Sequence, residues 1–284
     1  MKKLMFPNSP EVKPFSDYDK CKFAVLPVPY EGTVSYGKGA SKGPAAIIKA
    51  SANLETYDEE LDKNTYEAGI NVLEPLKSAE TAGKMTAEVE KASEKIIKDN
   101  KIPIMLGGEH SISTGLIRAL KKKYPDLSVL QLDAHADLRQ EYEGNPYSHA
   151  SVMARAREIC PAVQIGIRSL SIEESRWIKK DNLPVFWARD IYNNEDWFDK
   201  AIENLSENVF ITIDLDVFDP SIMSATGTPE PGGLDWYLVV KFLKKVCKKK
   251  NIIGFDVVEL APTKDHSCDF LAAKLVYKLI GYIS

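Results

Sequence analysis

Two short runs of metal-ligand residue types stand out in this chain of 284 residues, and a third run lies upstream of them. The candidate ligands are His110, Asp133, His135, Asp137, Asp214 and Asp216. Two imidazoles and four carboxylates can hold two divalent ions side by side. A metal pair can generate a nucleophile from water at neutral pH. The pattern therefore predicts a binuclear metallohydrolase.

The composition of this ligand set indicates which metal it would bind. Carboxylate-rich, imidazole-poor sites suit hard or borderline ions, particularly manganese, and we expect two Mn²⁺ per chain. The absence of cysteine from the set argues against a structural zinc site. A lone Asp after a strand is more often a turn former or helix cap. Three clusters at strand ends are harder to explain as turn formers or helix caps, because the carboxylates would repel one another without a cation.

Each ligand run follows an apolar segment that is typical of a buried strand. Strands are predicted at 23–28, 70–73, 102–106, 128–132, 163–167, 184–187, 209–213 and 252–258. Helical patterns start near 43 and cover 113–123, 271–283 and the regions around 85–96 and 239–246. This alternation predicts an α/β fold with a mainly parallel sheet and helices on both faces. Ligands bind beyond the carboxyl ends of such strands, where the clusters fall.

The composition fits one large α/β unit. Apolar residues make up 44% of the chain, and 37 Lys and Arg against 41 Asp and Glu give a formal net charge of −4. We find no linker, repeat or low-complexity tract, so residues 1–284 are interpreted as a single domain. The charge balance gives no basis for nucleic-acid binding. The Lys cluster at 244–250 is interpreted as a solvated helix end.

Sequence features at the N-terminus and the cysteine pattern predict a cytoplasmic location. Pro7 and Pro10 interrupt the first apolar stretch, so no signal-peptide core is expected. No apolar run approaches the length of a membrane span. The four cysteines are far apart and form no paired motif, which favours reduced thiols.

Six motifs carry a resemblance to a known family. They are GGEHS at 107–111, DAHAD at 133–137, SHAS at 148–151, DLDVFDP at 214–220, GTPEPGGL at 227–234 and DVVE at 256–259. Any one alone would be weak, but their order is specific. The chain resembles the ureohydrolases, the agmatinase and arginase family, over essentially its whole length.

The resemblance implies a three-layer α/β/α fold with an eight-stranded, mainly parallel sheet and a manganese pair. One ion would be bound by His110, Asp133, Asp137 and Asp214. The second ion would share Asp133 and Asp214 and would be completed by His135 and Asp216. A homotrimer or homohexamer is also implied.

The resemblance further implies roles for four residues in attack on a guanidinium carbon. Asp137 would orient the nucleophile and carry its proton to the leaving amine. Glu259 would pair with the guanidinium and fix its plane. Thr228 could hydrogen-bond the reacting group, and His149 could shuttle protons near neutrality.

The substrate is expected to be a small guanidino compound, with agmatine, hydrolysed to putrescine and urea, as the first candidate. Arginases place Asn where this chain has Arg139, whereas the loop at 139–149 is more similar to that of agmatinases. Glu141 or Glu143 could meet the distal ammonium of agmatine.

Arg139 leaves alternatives open. Its guanidinium could hold a carboxylate, which would favour arginase, guanidinobutyrase or formimidoylglutamase activity, or it could form an ion pair with a nearby Glu. A metal-dependent deacetylase and a non-catalytic metal-binding protein are more distant alternatives.

Overall fold

The computed structural model describes residues 4–192 and 194–284. Its strands are β1 (Phe23–Val28), β2 (Tyr57–Asp58), β3 (Lys63–Asn64), β4 (Ile70–Val72), β5 (Ile102–Gly107), β6 (Ser128–Leu132), β7 (Ala162–Ile167), β8 (Val185–Trp187), β9 (Asn208–Asp214) and β10 (Asn251–Val258). Its α-helices are α1 (Gly43–Ala50), α2 (Ala82–Lys98), α3 (Ser113–Lys123), α4 (Val152–Ile159), α5 (Ile172–Lys180), α6 (Ala188–Ile191), α7 (Phe198–Glu203), α8 (Trp236–Lys249) and α9 (Ser267–Ile283).

A central sheet of eight strands has the spatial order β4-β1-β5-β10-β9-β6-β7-β8. Every neighbouring pair in this sheet is parallel. The predicted α/β fold with an eight-stranded sheet is therefore confirmed. Strands β2 and β3 form a separate antiparallel pair that the sequence analysis did not predict.

Helices cover both faces of the sheet and make three layers. Side chains alternate along a strand, so neighbouring residues of β1 enter different cores. Val25 packs in a core with residues of α1, α7, α8 and α9. Ala24 and Leu26 pack in a second core with residues of α2, α3 and α4. Burial of both faces explains why the strands consist of nearly continuous apolar runs.

Several helix ends carry the signals that local physical chemistry favours. The Ser171 hydroxyl and the Glu174 carboxylate form a capping box at the start of α5. Asp235 caps α8 by accepting a hydrogen bond from the Leu238 amide at 2.9 Å. The cluster at 244–250 lies at the C-terminal end of α8, as predicted, where Lys side chains complement the helix dipole.

Two further observations concern the hydrophobicity of the helices and the state of the cysteines. Among the described residues, none of the helices combines the length and the apolar character that crossing a bilayer requires. All four cysteines carry free thiols, and three of them are buried: Cys21, Cys160 and Cys268.

Candidate metal centre and active site

The candidate site lies at the carboxyl edge of four strands that are adjacent in the sheet, in the order β5-β10-β9-β6. The chain places one functional residue at or just after the end of each strand. These residues are His110 after β5, Glu259 after β10, Asp214 at the end of β9 and Asp133 after β6. The parallel arrangement therefore brings together side chains that are far apart in sequence.

The first part of the site surrounds the imidazole of His110. Its Nδ1 lies 3.2 Å from an oxygen of Asp133, 3.3 Å from one of Asp137 and 3.6 Å from one of Asp214. The ring is buried, and its Nδ1 has no hydrogen-bond partner. Its Nε2 contacts the Thr212 hydroxyl at 2.8 Å. Thr212 thus occupies Nε2 and leaves Nδ1 facing three carboxylate oxygens.

The second part surrounds His135. Its Nδ1 lies 2.9 Å from Oδ2 of Asp216 and 3.7 Å from Oδ1 of Asp133. Asp133 therefore presents one oxygen to each histidine. Within each of two triplets, the potential ligand atoms lie within 4.8 Å of one another. The triplets are His110, Asp133 and Asp137, and Asp133, His135 and Asp216.

The electrostatics of the cluster fit bound cations. Burial, together with the charge of Asp133, raises the pKa of Asp137 to about 7. Burial and the charges of Asp216 and Asp133 hold the pKa of Asp214 well above its ordinary value. Such repulsion is relieved when cations share the carboxylates. The buried Nδ1 of His110, which makes no hydrogen bond, is a further atom that could bind a metal ion. The residues present therefore fit a pair of divalent ions.

The six predicted ligands are thus brought together, although their individual roles stay predictions. Asp214 differs from Asp133 in its contacts. Its Oδ1 accepts a hydrogen bond from the Asp216 amide at 2.9 Å, and only Oδ2 faces His110. The contacts to both histidines are made by Asp133.

Buried amides hold the shared carboxylate. Gln131 donates from Nε2 to Oδ2 of Asp133 at 2.6 Å, and Gln164 donates from Nε2 to Oε1 of Gln131 at 2.6 Å. The two glutamines are neighbours on β6 and β7, and both are fully buried. This amide relay orients Asp133 from inside the sheet.

A cavity of about 230 Å³ opens over the cluster. The four predicted catalytic residues all line it: Asp137, His149, Thr228 and Glu259. Its lining also includes the predicted metal ligands His110, His135 and Asp214. The sequence-predicted catalytic side chains therefore share one cavity with the metal cluster.

Glu259 and His149 have environments that shift their pKa values in opposite directions. Burial, together with the charge of Glu109, raises the pKa of Glu259 to about 8. The Glu259 carboxylate accepts a hydrogen bond from the His110 amide at 2.6 Å. Burial lowers the pKa of His149, which favours its neutral imidazole.

In the loop at 139–149, Arg139 forms an ion pair with a Glu, which is one of the two alternatives that the sequence left open for it. Nε of Arg139 lies 4.0 Å from the Glu174 carboxylate, and its guanidinium lies 5.3 Å from the centre of the Tyr142 ring. Arg139 lines the cavity, so its ion pair forms at the cavity wall. Glu141 and Glu143 are exposed and are not among the described residues that line the cavity. The structure therefore does not support the expectation that either meets a distal ammonium.

Several residues that shape the site were missed or given no role in the sequence analysis. They are Thr33, Glu109, Gln131, Gln164, Tyr142 and Glu174. Glu109 stands beside His110 in a motif, so its position was a usable signal. Thr33 gave no such signal, because its contact with His149 joins positions 116 residues apart.

The sheet, the edge cluster and the cavity define an α/β protein with a carboxylate-rich cluster that fits metal ions. The model of the Arginase family matches residues 21–281. The chain is 41% identical over 282 residues to a Synechocystis protein named N(1)-aminopropylagmatine ureohydrolase, covering 96% of this chain and 92% of that one. It is 36% identical to an agmatinase of Pyrococcus horikoshii, with 94% of each chain covered.

The solved structure of agmatine ureohydrolase of Thermoplasma volcanium is also similar. Its TM-score is 0.88 at 34% sequence identity, and the match covers 100% of this chain and 94% of that chain. The protein belongs to the arginase family and is a ureohydrolase of that family. The predicted family resemblance is thereby confirmed.

Proposed function

We propose that the protein releases urea from an alkylguanidine that has a distal amine and no α-carboxylate. N(1)-aminopropylagmatine is the first candidate and agmatine, which would give putrescine, is the second. The order follows the relatives, since those at 41%, 39% and 38% identity are named for the aminopropyl compound. The observation that carries the proposal is the Glu259 carboxylate, which lines the same cavity as the His/Asp cluster.

The metal is proposed to be a pair of Mn²⁺ ions. The ligands would be His110, Asp133, Asp137 and Asp214 for one ion, and Asp133, Asp214, His135 and Asp216 for the other. When bound, the ions supply Lewis-acid chemistry and a nucleophile derived from water.

The protein side chains would bind the guanidinium and move protons. Glu259, when ionised, pairs with the planar cation and fixes its orientation. Thr228, which also lines the cavity, would offer a hydroxyl to the reacting group. Asp137 would take the proton from the nucleophile and pass it to the leaving amine, and His149 would shuttle other protons between the cavity and solvent.

The contacts that Arg139 makes with Glu174 and Tyr142 support a substrate without a carboxylate. It is the one Lys or Arg side chain among the described cavity-lining residues, and Glu174 and Tyr142 already engage it. The α-carboxylate of arginine would therefore lose water without gaining a free cation as partner. Sites that leave a buried charge unpaired can discriminate strongly against it.

A panel assay tests the proposal. Urea release would be measured with added MnCl₂ on N(1)-aminopropylagmatine, agmatine, arginine and guanidinobutyrate, beside an acetyl-lysine peptide for the deacetylase alternative. We expect the highest kcat/KM for the aminopropyl compound, then agmatine, and much lower values for the carboxylate-bearing compounds. A preference for arginine would contradict the substrate proposal. We also propose a homotrimer or homohexamer, which sedimentation of the purified protein tests, and a cytoplasmic location, which cell fractionation tests.

A further inference from the structure

Glu109 anchors the loop that follows β1 to the active-site edge. Its carboxylate is fully buried and accepts four hydrogen bonds. Oε2 accepts from the amides of Gly32 at 2.7 Å and Thr33 at 2.6 Å. Oε1 accepts from the hydroxyls of Thr33 at 2.7 Å and Ser111 at 2.5 Å. Four donors satisfy an ionised carboxylate, which has no proton to give back.

This arrangement fixes the direction of the Thr33 hydroxyl. A hydroxyl has one hydrogen and two lone pairs. Because the Thr33 hydrogen is directed to Glu109, its oxygen can only accept from other partners. Two nitrogens of His149 lie within reach of that oxygen: the backbone N at 3.1 Å and the ring Nδ1 at 3.2 Å.

The contact with an oxygen that can only accept requires a proton on Nδ1 of His149. In the neutral ring, the unprotonated nitrogen is then Nε2. Burial favours this neutral ring, and the imidazole lines the cavity. The Ser148 hydroxyl accepts from the Ala150 amide and could donate its hydrogen to an unprotonated Nδ1, but its oxygen lies at 3.4 Å, farther from Nδ1 than the Thr33 oxygen.

We propose that Thr33, oriented by Glu109, is a positioning residue that fixes His149 in the tautomer with a proton on Nδ1, leaving Nε2 as the proton acceptor of the active site. The catalytic use of His149 rests on the proposed function, whereas the tautomer itself does not. The loop at 32–33 would thereby determine which ring nitrogen can accept a proton in the cavity.

Neutron diffraction from the deuterated, metal-loaded protein tests the tautomer directly. We expect deuterium on Nδ1 of His149 and the Thr33 deuteroxyl directed to Glu109. Deuterium on Nε2 alone would overturn the proposal, whether or not any guanidino compound is hydrolysed. This measurement needs no variant, so it does not depend on whether a substituted protein folds.

Activity measurements test the consequence. Thr33→Val keeps the shape and removes the hydroxyl, and we expect it to lower kcat by about 10–100-fold, the range found when a metal-binding histidine loses the partner that orients it. Thr33→Ser should restore most of the activity. Ser148→Ala is the matched control and should leave most of the activity in place. An equal or larger loss in Ser148→Ala would assign the orienting role to Ser148 and overturn the proposal.

A double-mutant cycle separates positioning from general loss of structure. In a His149→Gln background, Thr33→Val should cause little further loss, because the group that it positions is gone. A full, additive loss in that background would show that Thr33 acts elsewhere. Absence of urea release from every guanidino compound would reject the proposed function, while the neutron result would still decide the tautomer.

Discussion

The Glu259 carboxylate, which is proposed to pair with the guanidinium, has a raised pKa. Burial and the charge of Glu109 raise that pKa to about 8, and the charge of Asp216 acts in the same direction. The His110 amide and imidazole act in the opposite direction. An acid with a raised pKa is neutral over a wider pH range, so its pairing with a guanidinium strengthens as pH rises through the pKa. Cations in the neighbouring cluster favour the ionised form and lower this value.

We therefore expect kcat/KM to rise with pH along a limb at or below about pH 8. Glu259→Gln should remove the contribution of this carboxylate to the limb and lower kcat/KM by roughly 10²-fold, because a charge-assisted pair at the reacting group is lost. Rates across pH and metal content would be measured together, with the exposed Glu141→Gln as control. A Glu259→Gln protein with normal kcat/KM would show that the guanidinium is bound elsewhere.

Arg139 allows a second test at the level of one side chain. Its ion pair with Glu174 is partly exposed on the arginine side, and such pairs contribute about 0–1 kcal/mol. Arg139→Ala also removes a positive charge from the cavity wall. We expect KM for aminopropylagmatine and agmatine, which are polycations, to fall by up to about threefold, from weaker charge repulsion, with the substrate ranking unchanged. A selective collapse of activity on arginine or guanidinobutyrate would instead assign carboxylate binding to Arg139.

At the level of elements, strands β6 and β7 orient the metal cluster through hydrogen bonds as well as carrying one of its residues at a strand end. Gln131 and Gln164 are polar side chains among the apolar residues of the sheet interior. The Gln164 amide donates to Gln131, and the Gln131 amide donates to the Asp133 carboxylate. Gln164 also donates to the Ala136 carbonyl at 2.7 Å, which ties the relay to the loop after β6. The sheet therefore orients its ligand through hydrogen bonds as well as through strand direction.

Gln131→Leu should separate orientation from ligation. It removes one donor to Asp133 without changing any proposed ligand, and loss of such a partner typically weakens metal binding about 10–100-fold. Calorimetric titration of the metal-free protein with MnCl₂ would measure the change. Asn208→Ser, at the half-buried start of β9 and at the sheet edge opposite the site, is a control that should leave the affinity unaltered. Unchanged affinity in Gln131→Leu would mean that the strand alone positions Asp133.

The strands of the main sheet were predictable because burial on both faces requires continuous apolar runs. The predicted and observed bounds differ by one residue at one end of β4, β5, β7, β8 and β10. Strand β9 is longer than predicted by one residue at each end. The pair β2–β3 was missed because each strand has two residues, and those residues are largely polar. Helices α4, α5, α6 and α7 were not predicted. In α5 the buried residues are only Glu174 and Ile178, so it has no continuous apolar stripe.

For the whole molecule, the site was predictable only in part. The ligands could be inferred because parallel strands end at a common edge, whatever loops connect them. The groups that orient them lie on other segments, and their contacts span 33 residues for Gln164 and 116 for Thr33. Sequence periodicity contains no information about such pairs.

Metal binding and folding should be linked in this protein. The pKa of Asp137 is raised to about 7 by burial and by Asp133. The folded state therefore holds a proton there at pH values where the unfolded state does not. Stability from this group is full below the ordinary Asp pKa of about 3.9 and is lost as pH rises through about 7. At higher pH, the metal-free protein retains a buried charge that disfavours folding.

Asp137→Asn should raise the melting temperature of the metal-free protein at pH 8, and the gain should shrink at pH 5, where Asp137 is protonated. With MnCl₂ the order should reverse, because the unmodified protein gains more from binding. Thermal unfolding in EDTA and in MnCl₂ would be compared, with the exposed Asp196→Asn as control. A metal-free Asp137→Asn protein that is less stable at pH 8 would contradict the repulsion argument.

Asp137 and Glu259 share a backbone feature: both adopt left-handed conformations, with φ of 51° and 68°. For residues with a Cβ atom, this conformation costs about 1–2 kcal/mol, whereas glycine adopts it readily. The path of the chain at these positions thus suits a residue with no side chain, and the carboxylates are retained against that preference. A laboratory evolution experiment that selected only for thermal resistance, in a metal chelator, would enrich glycine at positions 137 and 259, and the resulting proteins would be more stable without metal and inactive.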